Sequence, residues 1–211
     1  NKPAGQLSQG AKGFDLDLVS EVMTYNASQG KPAYAAIINR LDRPVSGLVL
    51  IAKNKSAAAK YSTLMQKEGG FNKQYEALIC GKLSELKGTF VDYLKKDGRT
   101  NTSAIVPADA AANDKEAKLS KLEYEVISYD EVKDITHVRI HLITGRHHQI
   151  RVQFASRRHP LVGDYKYATA YCGMDNAVKA VALKRNQIAL CAVSLTIDNK
   201  TFSVTPDFVI N

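Results

Sequence analysis

The sequence has few cysteines and no long apolar run. Its 211 residues include three cysteines, Cys80, Cys172 and Cys191, and none belongs to a C-x-x-C pair, so neither a disulfide framework nor a zinc site is predicted. No segment approaches the roughly 18 consecutive apolar residues of a membrane-spanning helix, and no secretory leader is recognisable. We therefore expect a cytoplasmic protein without a metal or a membrane partner. The chain begins abruptly at Asn1, and we expect a few further residues to precede it.

Internal repeats, low-complexity tracts and breaks in composition are also absent from the sequence. Apolar residues make up 45% of the chain and charged residues 24%, as in ordinary globular proteins. The length suits one fairly large domain. We predict a single mixed α/β (α+β) domain over residues 1–211, with a largely antiparallel central sheet and flanking helices.

Acidic residues are outnumbered by basic ones. The chain has 29 lysines and arginines against 21 aspartates and glutamates, for a formal net charge of +8. This excess favours a polyanionic partner such as nucleic acid, because each phosphate that a basic side chain neutralises releases condensed counterions. On charge alone, a generically basic protein fits equally well, since net charge concerns association rather than fold.

Hydrophobic periodicity predicts the elements that surround the polar motifs. Helices are predicted over 16–25 and, with Ser56 as its cap, up to Gln66. The polar segment 95–119 is predicted to form a hairpin and a loop excursion. Strands are predicted over 48–52, 73–80, 122–128, 138–143, 192–197 and 201–204.

The first candidate for chemistry is a carboxylate within residues 40–47, which read RLDRPVSG. Asp42 lies between Arg40 and Arg43 in the chain, and nearby positive charge favours the ionised carboxylate. Attack by Asp42 would then need no separate base, so it is the best candidate for a nucleophile. A loop mounted on the predicted strand 48–52 would give it a rigid support. The alternative is an aspartate paired with a neighbouring arginine in a surface turn.

A second candidate is the segment TGRHHQIR at 144–151, which is predicted to lead from a strand into a helix with Arg146 in its first turn. Helix N-termini present unpaired amide donors that suit phosphate, so Arg146 and His148 are candidate phosphate contacts. The alternative is a basic, solvated first turn, although positive side chains oppose the helix dipole there. The His147–His148 pair does not predict a metal, because ligands on one helix face are spaced three or four residues apart.

These motifs follow one another in a particular order. RLDRPVSG and LVLIAK come first, then KQYEALICG, then TGRHHQIRVQFA and PLVGDYKY. In this order and at these separations they closely resemble the RluA family of pseudouridine synthases, and the resemblance extends from NKPAG to LCAVSL. It implies the catalytic fold of that family, with an active-site cleft. It also implies an enzyme that isomerises selected uridines of structured ribosomal or transfer RNA to pseudouridine without a cofactor.

The resemblance assigns roles to three residues. The family's catalytic aspartate falls on Asp42, the arginine that holds its carboxylate falls on Arg151, and the base-stacking tyrosine falls on Tyr75. Tyr75 could stack on uracil, and its hydroxyl could help to remove the proton from carbon 5, directly or through water. The alternative for Tyr75 is an ordinary cross-strand core residue.

The resemblance also implies that the nucleotide leaves the RNA helix. Turning a base out of its stack costs roughly a few kcal/mol, and in the family the arginine at the position of Arg40 is thought to enter the gap. A planar guanidinium suits this role because it can stack and still reach phosphates. Arg43, Arg146 and His148 would contact the flipped nucleotide and the backbone. The alternative for Arg40 is an internal salt bridge to Asp42.

Two departures from the family pattern leave the subgroup open. Asn39 stands where the family commonly has histidine, and Cys191 stands in LCA where it commonly has the histidine of LHA. An S4-type RNA-binding domain, which many relatives carry, is absent from these residues, so we expect the catalytic domain to hold the RNA. We expect a monomer, because no long apolar helix face stands out in the sequence. A catalytically silent RNA-binding or ribosome-assembly factor is the alternative function. A hydrolase would need a metal or a second carboxylate that the motifs do not supply.

Overall fold

The computed structural model describes residues 1–10, 16–67, 70–172, 183 and 187–208. The helices in this part of the chain are α1 (Leu18–Ser28), α2 (Lys55–Gln66), α3 (Ala108–Ala111), α4 (Gln149–Ala155) and α5 (Tyr165–Cys172). The strands are β1 (Ala36–Ile37), β2 (Ser46–Gly47), β3 (Ile51–Ala52), β4 (Asn72–Cys80), β5 (Lys87–Asp97), β6 (Thr102–Val106), β7 (Lys118–Asp130), β8 (Ile135–Leu142), β9 (Leu190–Ile197) and β10 (Lys200–Ser203).

One large sheet organises the molecule. Its strands lie in the order β10-β9-β4-β8-β7-β5-β6, and every neighbouring pair in that order is antiparallel. The short strand β2 adds a parallel pairing to β9, while β1 and β3 form a separate two-stranded sheet. The prediction of a mixed fold with a largely antiparallel central sheet and flanking helices is confirmed.

The sheet is covered on both faces near β4, because successive side chains of a strand point to opposite sides. Tyr75, Ala77 and Ile79 face a core that contains Ile150 and Phe154 of α4. Leu78 and Cys80 face a second core that includes Val193 and Phe208. The alternation predicted for this strand is confirmed, and it places α4 on the Tyr75 side of the sheet.

Aromatic contacts hold α4 on the sheet. The ring centroid of Phe154 lies 5.0 Å from that of Phe90 on β5 and 5.8 Å from that of Tyr124 on β7, both in edge-on geometry. Such pairs contribute about 0.5–1.5 kcal/mol each beyond the burial of their area. The sheet therefore holds the helix that carries Arg151 in place.

The strand predicted over 48–52 is wrong for most of its length. Gly47 has a φ of +114°, and a Cβ on it would lie 2.4 Å from the carbonyl oxygen of Ala192 in β9, so only glycine permits this close approach. After Leu48 donates its N–H to the same carbonyl at 2.9 Å, the chain leaves β9, and only Ile51–Ala52 forms a strand. The loop that carries Asp42 is thus supported by β2 and β9.

Two helix starts also differ from their predictions, because a nearby side chain competes as the cap. In α2 the Oδ1 of Asn54, not Ser56, accepts a hydrogen bond from the N–H of Ala57 at 2.8 Å. In α1 the carboxylate of Asp17 accepts from the N–H of Ser20 at 2.8 Å, so the helix begins at Leu18. Both caps belong to the residue types that favour this position.

Candidate active site

The loop that carries Asp42 is fixed through its backbone. Ser8 binds both polar groups of Leu41: its hydroxyl donates to the Leu41 carbonyl at 2.7 Å and accepts from the Leu41 N–H at 3.2 Å. The N–H of Val45 donates to the carbonyl of Asp42 at 3.1 Å and closes a turn. Leu41 and Val45 are buried in the core that contains Ile150 and Phe154 of α4, whereas the side chain of Asp42 is 28% exposed. The carboxylate can therefore meet a ligand while its backbone stays fixed.

Lys2 braces this loop from the N-terminal segment. Its side chain is fully buried, and Nζ donates to the carbonyl oxygens of Pro3 (3.0 Å), Gln6 (2.9 Å) and Arg43 (3.4 Å). Burial lowers the pKa of Lys2 to about 8, against the opposing effect of the charge on Asp42, so the ammonium remains protonated at neutral pH. In the sequence, NKPAG was informative only as part of the resemblance, and this brace was missed.

Arg151 holds Asp42 and is itself held by a second carboxylate. Its Nη1 lies 3.0 Å from Oδ2 of Asp42, while Nε and Nη2 donate to the two oxygens of Asp164 at 2.6 and 2.8 Å. Arg151 is 6% and Asp164 2% exposed. Burial lowers the pKa of Arg151, but Asp164 and Asp42 together outweigh it and raise the pKa. A permanently charged guanidinium is therefore fixed between two carboxylates.

A glycine turn places Asp164 beside Arg151. Gly163 has a φ of +86°, and a Cβ on it would lie 2.6 Å from the carbonyl oxygen of Gln187, so a side chain is excluded there. The turn brings Asp164 to the start of α5, where its carbonyl accepts from the N–H of Ala168 at 3.0 Å. Backbone geometry thus fixes both ends of the Arg151–Asp164 pair.

His148 lies inside the site rather than on its surface. The residue is 9% exposed, its Nδ1 lies 2.6 Å from the hydroxyl oxygen of Tyr167, and its Nε2 lies 3.4 Å from Oδ2 of Asp42. Its backbone is left-handed, with a φ of +53°, so α4 starts only at Gln149 and Arg146 precedes the helix instead of lying in its first turn. With the ring turned inward, the expectation that His148 contacts a phosphate has no support in this geometry.

Tyr75 joins the same part of the core from β4. It is 7% exposed and packs in the cluster that contains Leu41 and Val45, the buried neighbours of Asp42. Burial raises the pKa of Tyr75, and the charge of Asp42 raises it further, so the phenol keeps its proton. Residues from three distant segments, Asp42, Tyr75 and Arg151, thus meet around one place in the fold.

Comparisons with known proteins show the family of this chain. A family model described as RNA pseudouridylate synthase matches residues 1–156. The chain belongs to this family. Among curated relatives, a ribosomal large subunit pseudouridine synthase D of Buchnera aphidicola is 32% identical over 80% of this chain and 51% of its own length. A ribosomal large subunit pseudouridine synthase C of Rickettsia bellii is 32% identical over 79% of this chain and 52% of its own length. The chain spans about half the length of these relatives.

Solved structures share the fold. Human RNA Pseudouridylate Synthase Domain Containing 4 superposes with a TM-score of 0.74 at 18% identity, over 97% of this chain and 83% of that one. Human RNA Pseudouridylate Synthase Domain Containing 1 gives a TM-score of 0.69 at 23% identity, over 98% and 78%. The pseudouridine synthase fold that the sequence implied is confirmed.

Three further arginines of this pseudouridine synthase family member, Arg40, Arg43 and Arg146, are exposed and are not part of the contact between Asp42 and Arg151. Asp42 takes its guanidinium partner from Arg151, as the resemblance implied. Among the described residues none pairs with Arg40, so the alternative of an Arg40–Asp42 salt bridge finds no support. Arg43 donates through Nε to the Gly5 carbonyl at 2.8 Å, and Arg146 donates to the Leu119 carbonyl at 3.0 Å.

Sequence reasoning missed Asp164 and Tyr167. Their signal was present in PLVGDYKY, where the two residues are three apart, a spacing that brings side chains together at a helix start. Nothing local shows that Asp164 binds an arginine 13 positions earlier, or that Tyr167 binds His148. The resemblance used this segment only as a marker.

Other features of the described residues lie apart from this site. A cavity of about 440 Å³ is lined by polar side chains such as Gln74, Glu123 and Arg139 and contains none of the predicted site residues, so a cleft over Asp42 stays a prediction. No three His, Cys, Asp or Glu side chains cluster as metal ligands in the described part of the chain. No helix described is long and apolar enough to cross a membrane.

The buried His148 predicts a pH dependence of stability. Burial lowers the pKa of His148 to about 2, with the charge of Arg151 next in importance, from an ordinary value of 6.5. Between these values the unfolded chain binds the extra proton, so stability rises with pH and is lost as pH falls below 6.5. The charged or titratable groups around the ring are Asp42, Lys96, His147, Arg151, Asp164, Lys166 and Tyr167.

We expect the free energy of unfolding to fall by up to about 1.4 kcal/mol per pH unit below pH 6.5 through this one group. His148→Asn should remove that component, because asparagine tolerates the left-handed backbone and does not titrate. Urea denaturation of both proteins between pH 4.5 and 7.5 measures the difference. Parallel pH profiles for the two proteins would contradict the assignment.

Proposed function

We propose that this chain isomerises uridine to pseudouridine in the RNA of the large ribosomal subunit, in the cytoplasm, as a monomer with one catalytic domain over residues 1–211. The observation that carries the proposal is the partly exposed carboxylate of Asp42, held by the buried Arg151 near the ring of Tyr75. The names of the curated relatives support a ribosomal substrate. Transfer RNA is the other substrate to be tested.

The proposed nucleophile is Oδ1 of Asp42. Its other oxygen, Oδ2, faces Arg151 and His148, while Oδ1 accepts no hydrogen bond from any described residue. In the reaction Oδ1 bonds to C1′ of ribose as the bond from C1′ to N1 of uracil breaks. The base then turns, and C5 forms its bond to C1′ as the bond from Oδ1 to C1′ breaks. The carbon 5 proton leaves and N1 gains a proton, so the atoms balance without a cofactor. An anionic carboxylate stabilises the positive charge that develops at C1′.

Tyr75 acts in this scheme as a stacking residue that stays neutral. A uracil that reaches the carboxylate of Asp42 would stack on the ring of this residue, which is 7% exposed. Because burial and the charge of Asp42 raise its pKa, the hydroxyl does not ionise at neutral pH to serve as a base. The proton of carbon 5 therefore leaves through water, which the phenol can orient.

The basic surface supplies the grip on RNA. A net charge of +8 favours association with a polyanion. Arg40, exposed and without an ion pair among the described residues, enters the base stack that the flipped uridine vacates. Arg43 and Arg146 contact phosphates around it.

The function is tested with RNA carrying tritium at carbon 5 of uridine, because isomerisation releases that tritium to water. Transcripts of large-subunit ribosomal RNA and of transfer RNAs are incubated with the protein, and modified positions are then mapped by pseudouridine-specific chemical labelling. We expect catalytic release from a ribosomal transcript, at one or a few positions. Tight binding of RNA without release from either class would overturn the proposal in favour of a silent RNA-binding factor.

A further inference from the structure

A buried series of polar contacts leads from the β5–β6 hairpin to Asp42. The backbone N–H of Ser103, on β6, donates to the hydroxyl oxygen of Tyr167 at 2.9 Å. That oxygen lies 2.6 Å from Nδ1 of His148, whose Nε2 lies 3.4 Å from Oδ2 of Asp42. Ser103, Tyr167 and His148 are all buried. The pairing of Arg151 with Asp42 is a separate contact, at 3.0 Å.

The direction of each hydrogen bond follows from the first. A backbone N–H can only donate, so the Tyr167 oxygen accepts from Ser103, and among the described residues Nδ1 of His148 is the one acceptor within reach of the Tyr167 proton. This nitrogen must then carry no proton, and a neutral imidazole carries its single proton on the other nitrogen. The Nε2–H of His148 therefore faces Oδ2 of Asp42.

The protonation states agree with this direction. Burial lowers the pKa of His148 to about 2 and raises the pKa of Tyr167 to about 12. Across the physiological range the imidazole is neutral and the phenol keeps its proton, as the series of donors requires.

We propose that Tyr167 and His148 are positioning residues that keep a proton on Nε2 of His148, so that this N–H and Arg151 together orient Oδ2 of Asp42 and leave Oδ1 for the nucleoside. The proposal rests on the proposed function, because it gives Asp42 the role of nucleophile. The Nε2 contact, at 3.4 Å, is longer than the 3.0 Å contact of Arg151, and such contacts often tighten once the substrate is bound.

The packing around His148 favours a functional role for its position. The residue has a left-handed backbone, which is unfavourable for a side chain other than glycine and is often found at functional sites. Its ring stacks on His147 with centroids 3.7 Å apart and meets the Tyr167 ring edge-on at 5.5 Å. The Tyr167 ring in turn lies 5.0 Å from the guanidinium carbon of Arg151. Tyr167 thus contacts both groups that orient Asp42.

The hairpin belongs to this arrangement through more than one contact. The hydroxyl of Ser103 lies 2.9 Å from Nδ1 of His147, and Lys166 donates to the carbonyl oxygens of Thr100 and Asn101 at 3.3 Å each. Because the first donor is a backbone amide, a substitution of Ser103 would not remove it. Tyr167→Phe is therefore the variant that interrupts the series while it preserves the ring.

The test combines kinetics with the tautomer of His148. Tyr167→Phe is compared with Tyr171→Phe, which removes a hydroxyl one helical turn later that makes no hydrogen bond with any described residue. We expect Tyr167→Phe to lower kcat about tenfold, the effect of one hydrogen bond, with KM within twofold, and Tyr171→Phe to leave both unchanged. Long-range ¹H–¹⁵N spectra of protein with labelled histidine should show the Nε2–H tautomer in the wild type and a mixture in Tyr167→Phe.

A double variant sharpens the test. If the two residues act in series, Tyr167→Phe/His148→Asn loses no more kcat than His148→Asn alone, whereas independent roles would multiply. The Nδ1–H tautomer in the wild type, or an unchanged kcat in Tyr167→Phe, overturns the inference even if the enzyme is active. A wild type that shows the Nε2–H tautomer but isomerises no RNA overturns the proposed function, and with it the catalytic role of the series.

Discussion

Asp42→Asn is expected to lower the rate of isomerisation by roughly 10⁴- to 10⁶-fold, the range found when catalytic residues of serine proteases are replaced. Asparagine has the size of aspartate but supplies neither the attacking oxygen nor the negative charge that faces C1′. Arg151 keeps its bidentate partner Asp164, so the fold around the site should persist. RNA affinity should stay within a few-fold of the wild type, because one removed negative charge does not weaken the attraction of a basic surface for phosphates.

The control for this variant is Asp198→Asn. Asp198 is also partly exposed, pairs with Lys60 at 2.8 Å, and has a left-handed backbone that asparagine tolerates. Its substitution should change neither turnover nor RNA binding. Tritium release by Asp42→Asn at the wild-type rate would remove Asp42 from the mechanism, whereas loss of both release and binding would point to a damaged fold.

The elements of the sheet could be predicted because their side chains alternate. On β4, Tyr75 and Ala77 face one core and Leu78 the other, and a period of two is visible in the sequence itself. The start of α4 could not be predicted in this way. The left-handed backbone of His148, which delays the helix to Gln149, leaves no mark in hydrophobic periodicity.

The site was predictable only in part, for a related reason. The order of the motifs pointed to Asp42, Tyr75 and Arg151, but local charge suggested that the neighbours of Asp42 in the chain set its environment. Its guanidinium partner comes from 109 residues away, which the motif order implied and local charge could not show, since adjacent side chains in a loop need not face the same way. Sequence reasoning missed Asp164 for a similar reason, because the sequence does not show which arginine an aspartate after a glycine turn binds.

Asp164→Asn is expected to impair both stability and catalysis. In this variant the almost fully buried guanidinium of Arg151 keeps only one of its two carboxylate partners. The amide of the new asparagine would also direct N–H donors towards that guanidinium. Breaking a buried pair by removing one partner typically costs about 3–5 kcal/mol. The N–H groups of Arg151 that bind Asp164 in the wild type could then turn towards Asp42. This would change the orientation of the Asp42 carboxylate. We expect the free energy of unfolding to fall by about that amount and kcat to fall roughly 10²-fold, as small displacements of catalytic groups do.

Asp92→Asn supplies the comparison, because Asp92 binds Arg157 through two contacts, at 2.9 and 3.1 Å, and accepts from Gln153 at 2.7 Å, but contacts neither Asp42 nor Arg151. The Arg157 side chain is one-third exposed, so solvent screens the pair formed by Asp92 and Arg157. The loss of stability in Asp92→Asn should therefore be smaller, about 1–2 kcal/mol, and kcat should be unchanged. Urea denaturation and tritium release on both variants separate the two effects. If Asp164→Asn destabilises the protein while its folded fraction keeps the wild-type kcat, Asp164 serves the fold alone and Arg151 needs no second carboxylate to orient Asp42.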